Sequence, residues 1–210
     1  MSTKILRNST EKTKRGRGRP REFDSDHVLD RVRAVFIEKG FSAPSLDDLA
    51  AASGLNRPSL YAAFGDKEQL YIHALRRYGA LTLAGLEAIL ARKGRIEKRL
   101  AAMYSAAVTL YCSPPNSPGC MIIGTAATEA PTHPQIAVVA VALLAAIERA
   151  LTGAFERAVE AGEISADPAP ATRAQLAGAI FDTLAIRARL GNPPDALEAF
   201  ALSMIPAICK

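Results

Sequence analysis

The sequence of 210 residues is poor in the groups that build metal and catalytic centres. Its three histidines are far apart and form no HExxH pairing, and Cys112, Cys120 and Cys209 show no CxxC or Cys/His spacing. An odd, sparse set of thiols argues against a disulfide framework and a zinc site. The sequence also lacks GxSxG, GxxxxGK[ST] and strand-associated GxGxxG motifs. We therefore expect no metal, no cofactor, no catalytic residue and no enzymatic activity.

Long apolar runs are absent as well. The longest stretch without a polar side chain, residues 136–147, has twelve residues, whereas a membrane-spanning helix needs roughly 18–20. This run predicts a buried helix. No apolar stretch of the signal-peptide type follows the basic N-terminus. Because 49% of the residues are hydrophobic, the chain can bury a core, and we expect a globular protein in the cytoplasm.

The alternation of polar and apolar residues typical of β-strands is missing, and every periodic segment after residue 24 has the helical period. The predicted fold class is therefore all-α. Capping residues predict four helices near the N-terminus, which begin at Asp24 or Ser25, at Ser45, at Asn56 and at Asp66. Pro-rich and Gly-rich breaks separate further alanine-rich helices near 95–112, 120–129, 133–161, 169–190 and 195–208.

The second and third helices are short and meet at Gly54, which is the pattern of a helix-turn-helix. In such a motif the second short helix enters the major groove of DNA. Small helical hairpins also occur in structural bundles, so the spacing alone does not establish DNA binding. The predicted outward residues of the third helix, Arg57, Pro58, Ser59 and Tyr61, suit contacts to bases and phosphates. Tyr61 as half-buried core and Arg57 as a solvated charge are the alternatives.

The first turns of the second and fourth helices supply a second class of candidate contacts, since unpaired N–H groups at helix N-termini bind phosphate. Ser45 and Lys67 lie in these turns and would grip the DNA backbone on either side of the third helix. Alternatively, Ser45 is only a helix cap and Lys67 only a surface lysine.

The positive charge is concentrated at the N-terminus. Residues 1–21 hold eight Lys or Arg and one Glu, residues 22–79 hold seven Lys or Arg and nine Asp or Glu, and the rest is balanced. Arg15, Arg17 and Arg19 stand in the segment KRGRGRPR, whose RGRP resembles the core of an AT-hook. Arginines on a thin extended strand can enter the narrow minor groove of A·T-rich DNA. The basic tail is alternatively only solvated.

Residues 22–79 resemble the DNA-binding domain of the TetR/AcrR family of bacterial transcriptional regulators. The resemblance lies in the Gly-Phe after the first helix, the SLDDLA of the second, the GLN turn, and the LYAAFGDKEQL passage into the fourth. It implies an all-helical homodimer with DNA contacts at Ser45, Arg57, Ser59, Tyr61 and Lys67. It also implies three regions: a basic arm at 1–21, a helix-turn-helix domain at 22–66, and an effector-binding and dimerisation domain at 67–210.

The expected regulator is a repressor that a small-molecule effector releases from a palindromic DNA operator, although the sequence leaves activation open. An architectural protein that coats A·T-rich DNA is the rival, and Cys112 or Cys120 could sense oxidants or electrophiles. Apolar and aromatic residues suggest the effector pocket, and a Leu-rich, Ala-rich pair of closing helices suggests the dimer interface, although both sets also suit an ordinary core. The pocket candidates are Tyr104, Val108, Tyr111, Cys120, Met121, Thr125 and Phe181. The interface candidates are Leu176, Ile180, Leu184, Leu197, Phe200 and Met204.

Overall fold

The computed structural model describes residues 23–113 and 119–210, and within these ranges the regular structure is entirely helical. The N-terminal helices are α1 (Ser25–Lys39), α2 (Leu46–Ser53), α3 (Arg57–Phe64) and α4 (Lys67–Leu90). The remaining helices are α5 (Ile96–Tyr111), α6 (Ala127–Glu129), α7 (Pro134–Glu160), α8 (Pro170–Arg189) and α9 (Pro194–Cys209). The all-α prediction is confirmed.

Side-chain caps define the starts of the first four helices. The side chains of Asp24, Ser45, Asn56 and Asp66 each accept a hydrogen bond from a backbone N–H in the first turn that follows. These bonds satisfy donors that a helix N-terminus leaves without an intrahelical partner. Between α2 and α3, Gly54 has φ 75° and ψ 9°, a left-handed conformation that glycine adopts without steric cost. The short α2 and α3 are therefore fixed by local interactions and form the predicted helical hairpin.

The core is continuous from α1 to α9. Val32 and Phe36 of α1 and Leu49 of α2 are fully buried, and α1 packs against both α2 and α4, so α1 supports the hairpin. In the C-terminal part, α7 packs against α8 and α4, while α5 packs against α8 and α9. The helix α4 therefore belongs to both packing units and connects them without a break.

Two details of the C-terminal part differ from the sequence-based expectations. The helix expected at 120–129 is instead a π-helical turn, Ile122–Ala126, followed by the short α6. The apolar run at 136–147 lies in α7 but is not fully buried, since Val138 is 70% and Val141 66% exposed. The helix α7 is long and apolar enough to span a membrane by length and composition alone. The burial prediction is wrong for the outer face of α7 because the protomer covers only its inner face.

Polar and aromatic contacts join α1 and α4 to the C-terminal part. The Tyr71 hydroxyl lies 2.6 Å from Thr125 Oγ1 in the π-helical turn, in a buried hydrogen bond. Phe41, which follows α1, packs edge-on against His133 at 4.6 Å between ring centroids. From the far end of α8, Arg189 Nη1 donates to the carbonyl oxygen of Ile37 in α1 at 2.8 Å. The C-terminal helices and the turn before α6 therefore contact the N-terminal part on α1, on the residues that follow α1, and on α4.

Candidate nucleic-acid interface

The helix α3 presents one face to solvent and one to the core. Leu60 and Phe64 are 4% and 7% exposed and belong to the side of α3 that packs against α2 and α4. Arg57 and Pro58 are exposed, Ser59 is half-buried, and Tyr61 is 40% exposed. Asn56 Oδ1 accepts a hydrogen bond from the Ser59 N–H at 2.9 Å, which holds the first turn of α3 in place. The proposed base-reading side chains therefore have accessible surface, and base contact by Tyr61 stays a prediction.

Arg57 is engaged by a carboxylate that the sequence analysis did not single out. Its Nε donates to Asp47 Oδ1, and its Nη2 forms an ion pair with Asp47 Oδ2. Both side chains are well exposed, at 50% for Arg57 and 73% for Asp47. The Asp47 carboxylate raises the pKa of Arg57 further above its usual value through this hydrogen bond. The sequence signal was the presence of opposite charges on the two helices of the hairpin, but it did not single out Asp47 among the nearby acids.

Ser45 acts as a helix cap. Its Oγ accepts from the Asp48 N–H at 3.1 Å and donates to Asp48 Oδ2 at 2.8 Å, while the Ser45 N–H donates to the same carboxylate oxygen at 2.8 Å. This is a complete capping box. The hydroxyl and backbone of Ser45 are thus committed to α2, although the residue itself is exposed at the surface. Contact with phosphate at Ser45 stays a prediction.

Lys67, at the start of α4, is half-buried and turned towards the protein. Its Nζ donates to the carbonyl oxygen of Ser42 at 2.9 Å and lies 5.1 Å from the centroid of the Phe41 ring. Burial lowers the pKa of Lys67 below its usual value. The ammonium group would have to share or exchange these partners to reach a phosphate. The arm residues Arg15, Arg17 and Arg19 lie outside the described residues.

Comparison with known proteins identifies this arrangement. The pattern described as "Bacterial regulatory proteins, tetR family" matches residues 28–74, and that of "Tetracyclin repressor-like, C-terminal domain" matches residues 97–204. The chain belongs to the TetR family. It is therefore a DNA-binding transcriptional regulator and not an enzyme, as the sequence analysis predicted. The long apolar α7 lies within the matched C-terminal domain of a soluble regulator and is no sign of a membrane protein.

Two named repressors resemble this chain, one over nearly its whole length and one over about half of it. The transcriptional repressor ComR of Escherichia coli K12 is 32% identical over 206 residues, which span 96% of this chain and 98% of ComR. The repressor BdcR of the same organism is 32% identical over 57% of this chain and 62% of BdcR. A cysteine mutant of the TetR-family regulator CifR, solved with 26-base-pair operator DNA, superposes with a TM-score of 0.81 at 27% identity. That match covers 90% of this chain and 99% of CifR.

The expected effector-pocket residues are mostly packed core. Six of the seven have no more than 5% of their surface exposed: Tyr104, Val108, Tyr111, Cys120, Met121 and Thr125. The seventh, Phe181, packs edge-on against Tyr111 at 5.6 Å and borders two cavities. One cavity lies between α7 and α8 with a volume of about 290 Å³, and the other lies between α4, α5 and α8 with about 170 Å³. Of the seven predicted pocket residues, only Phe181 lines these two cavities.

The expected dimer residues divide into two groups. Leu176 is 47% exposed, and Phe200 and Met204 are half-buried, so these three can contact a partner. In contrast, Ile180, Leu184 and Leu197 are 7%, 0% and 1% exposed, because they pack between α5, α8 and α9 of the same chain. These three side chains belong to the core of the protomer, and their part in an interface stays a prediction. Other apolar side chains are exposed here instead: Ile186 on α8 at 50% and Leu190, at the C-terminal end of α8, at 77%.

The cysteines give little support to a sensing role. Burial raises the pKa of the Cys112 thiol, and it raises that of Cys209 to about 11. A reactive thiolate needs the opposite shift. Cys120 is buried and accepts a hydrogen bond from the Tyr78 hydroxyl at 3.4 Å.

Proposed function

We propose that this regulator acts in the cytoplasm as a homodimeric repressor that binds a palindromic operator and is released by a small molecule. The outward presentation of α3 carries the proposal, since Leu60 and Phe64 anchor the helix while Arg57, Pro58 and Tyr61 stay accessible. In a dimer, two such helices about 34–36 Å apart would enter successive major grooves. The names of ComR and BdcR as repressors, and the operator complex of CifR, support the same role here.

The affinity for DNA is proposed to come largely from the arm at residues 1–21. The segment 22–79 has more acidic than basic residues, while the arm has eight Lys or Arg against one Glu. In the DNA-binding part, Arg57 is paired with Asp47, and Lys67 donates to the carbonyl oxygen of Ser42. Phosphate neutralisation by the arm, with Arg15, Arg17 and Arg19 in the minor groove, would offset this acidic character.

A footprint on the regulator's own upstream DNA tests the function. Protection of one palindrome of about 15 base pairs or more is expected, with two half-sites about one helical turn apart. Deleting residues 1–21 should lower the slope of log affinity against log salt by about 0.9 per lost phosphate contact while the same palindrome stays protected. Uniform protection of A·T-rich DNA would instead mark an architectural protein. Transcript levels in a deletion strain decide between repression and activation.

The effector is proposed to bind beside Phe181, where the two cavities meet α8. The charged residues that line the larger cavity are Glu148 and Asp182, both acidic, among apolar neighbours such as Leu144 and Ile147. This lining favours an apolar molecule with a cationic or hydrogen-bond-donating group. Replacing Phe181 with Trp should fill the cavities, so that operator binding persists while release by active compounds is lost. A variant that responds to effectors like the wild type would place the site elsewhere.

Dimerisation is proposed to use the exposed faces of α8 and α9. Leu176 and Ile186 lie on α8, Leu190 lies at its C-terminal end, and Phe200 and Met204 contribute from α9. Alanines on both helices allow close approach across a two-fold axis. Leu176→Asp with Leu190→Asp should produce monomers in sedimentation experiments and abolish operator binding. Dimers that persist in this double variant would exclude the proposed face.

A further inference from the structure

An acidic side chain stands on the surface that is proposed to meet DNA. Asp47, in the first turn of α2, is 73% exposed and close to the leading end of α3. A carboxylate at this position repels DNA phosphate, so its presence on this surface calls for an explanation in the local structure. It is not the helix cap, since Ser45 and Asp48 form the capping box. An exposed ion pair contributes little to stability, so the pair with Arg57 is not explained by folding alone.

The geometry of the pair leaves one edge of the guanidinium free. Arg57 uses Nε and Nη2, the side-on edge, to face the two oxygens of Asp47. A guanidinium has five N–H groups in a fixed plane. The end-on edge, formed by Nη1 and the second N–H of Nη2, therefore remains available. Two parallel N–H donors on one edge are what the O6 and N7 acceptors of guanine require.

We propose that Asp47 is a positioning residue for base recognition, which holds the Arg57 guanidinium so that its end-on edge reads a guanine in each half-site. This inference rests on the proposed function and on α3 entering the major groove. An arginine side chain has many rotamers, and fixing it before DNA binding reduces the entropy lost on contact. It also makes a displaced or alternative base contact less favourable. The acid therefore contributes to discrimination between bases rather than to affinity for DNA in general.

The two effects of Asp47 have opposite signs, which separates this role from a merely structural one. Removing the carboxylate deletes a negative charge beside the phosphates, so affinity for non-specific DNA should rise slightly. At the same time, a free Arg57 can contact phosphate or other bases, so preference for guanine should fall. A residue that only stabilised α2 would lower binding to every sequence together with the melting temperature.

The experiment uses the full-length protein and a random-sequence duplex library to select the preferred operator. Each base of one half-site is then varied in both halves, and dissociation constants are measured for the wild type, Asp47→Ala, Asp47→Asn and Arg57→Ala. Glu68→Ala is the charge-matched control, since Glu68 lies in the first turn of α4 and is outside this pair. Melting temperatures show whether each variant is folded, and Asp47→Asn keeps one acceptor oxygen if the alanine variant is unstable.

For Arg57→Ala we expect about a 10- to 100-fold loss of preference at one guanine. Asp47→Ala should reduce the preference for guanine at that same base pair about tenfold, while its binding to non-specific DNA should be equal to that of the wild type or tighter. Glu68→Ala should change all sequences alike. If Arg57→Ala relaxes a guanine but Asp47→Ala keeps the full preference there, the inference is overturned while the proposed function stands. If the wild type selects no sequence at all, the proposed function itself fails.

Discussion

The first four helices and the last helices of this regulator are started in different ways. Asp24, Ser45, Asn56 and Asp66 each cap their helix through a side chain. The helices α5, α7, α8 and α9 begin without any side-chain cap hydrogen bond, and three of them have proline in the first turn. The DNA-binding part is thus specified by local signals, and the C-terminal part by packing between long helices. Short helices such as α2 and α3 depend on side-chain caps for their stability. The ends of the long apolar helices are determined by packing against their neighbours.

A buried arginine provides the largest expected effect in the C-terminal part. The Arg173 side chain is fully buried and donates to the carbonyl oxygens of Ser165, Asp167, Pro168 and Ile208. It ties the loop before α8 to the end of α9, where carbonyl groups lack intrahelical partners. Arg173→Met should cost about 3 kcal/mol or more, because a buried guanidinium with four hydrogen bonds, one of them buried and three part-buried, is lost. Urea unfolding measures the loss.

Arg187→Met on the exposed face of α8 is the matched control for that variant. Its guanidinium lies 4.6 Å from the centroid of the Phe200 ring, and the residue is exposed. An exposed cation–π contact contributes about 0.5–1 kcal/mol. Equal losses from the two variants would mean that the carbonyl cluster around Arg173 does not hold the C-terminal part together.

Two glycines in α4 test close packing between the two parts. A Cβ at Gly79 would lie 2.3 Å and 2.6 Å from the Cδ atoms of Leu143 in α7, whereas one at Gly85 would meet nothing within 4 Å. Gly85→Ala should stabilise the protein by about 0.5–1 kcal/mol through helix propensity. Gly79→Ala gains the same propensity but must displace Leu143, so we expect a net loss of about 1 kcal/mol. Thermal unfolding of both variants measures this difference.

Equal gains from the two glycine variants would show that α4 and α7 separate easily at Leu143. That result would also mean that α4 does not hold the two packing units rigidly together at this point. A loss at Gly79 that exceeds the expectation several-fold would mean that Leu143 has no alternative rotamer in the core.

Local signals made the DNA-binding part predictable from its sequence. The Ser45–Asp48 capping box and the left-handed Gly54 lie where the sequence placed them, because both depend on residues within four positions. The pair of Asp47 with Arg57 could not be predicted in the same way. It joins two helices, and several acids in this segment were equally available as partners for Arg57.

In the C-terminal part, the existence and the approximate bounds of most helices were predictable from the sequence. Which side of each helix is buried and which is exposed was not predictable. Leu176 and Leu184 both lie on an alanine-rich helix, yet one is 47% exposed and the other fully buried. Alanines occur on both the covered and the free sides of α8, so the hydrophobic pattern does not distinguish the two. The π-helical turn at Ile122–Ala126 likewise follows from packing against neighbouring helices and has no local signal that we recognise.

Removing a helix cap in the DNA-binding part, or adding one in the C-terminal part, should have a smaller effect on the free energy of unfolding. Asn56→Ala removes the bond from Asn56 Oδ1 to the Ser59 N–H and should cost about 1 kcal/mol. Ala169 precedes α8 with φ −55° and ψ 147°, an extended conformation suited to a cap, and offers no acceptor. Ala169→Ser should therefore stabilise the protein by up to about 1 kcal/mol. Denaturant midpoints of the two variants measure both changes. No gain from serine would mean that packing already fixes the start of α8.

The smallest effect concerns two carboxyl groups whose pKa values move in opposite directions. A hydrogen bond from Arg77 holds the pKa of Asp30 in α1 below its ordinary value of 3.8, whereas burial raises the pKa of Asp182 in α8 above 3.8. Ionised Asp30 therefore stabilises the fold above about pH 4, and this contribution is lost as the pH falls through the lowered pKa. Ionised Asp182 destabilises the fold, and this penalty develops as the pH rises from 3.8 through the raised pKa.

At pH 7, Asp30→Asn should consequently be less stable than the wild type and Asp182→Asn more stable. Both differences should shrink towards zero in acid, where the wild-type carboxyl groups are protonated. Unfolding free energies measured between about pH 3 and pH 8 give the two curves. If Asp182→Asn shows no gain at neutral pH, a cation or hydrogen-bond donor already compensates the carboxylate in solution. The protein itself would then compensate the negative charge of Asp182 in the cavity between α7 and α8. This result would remove the argument for a cationic effector at that cavity.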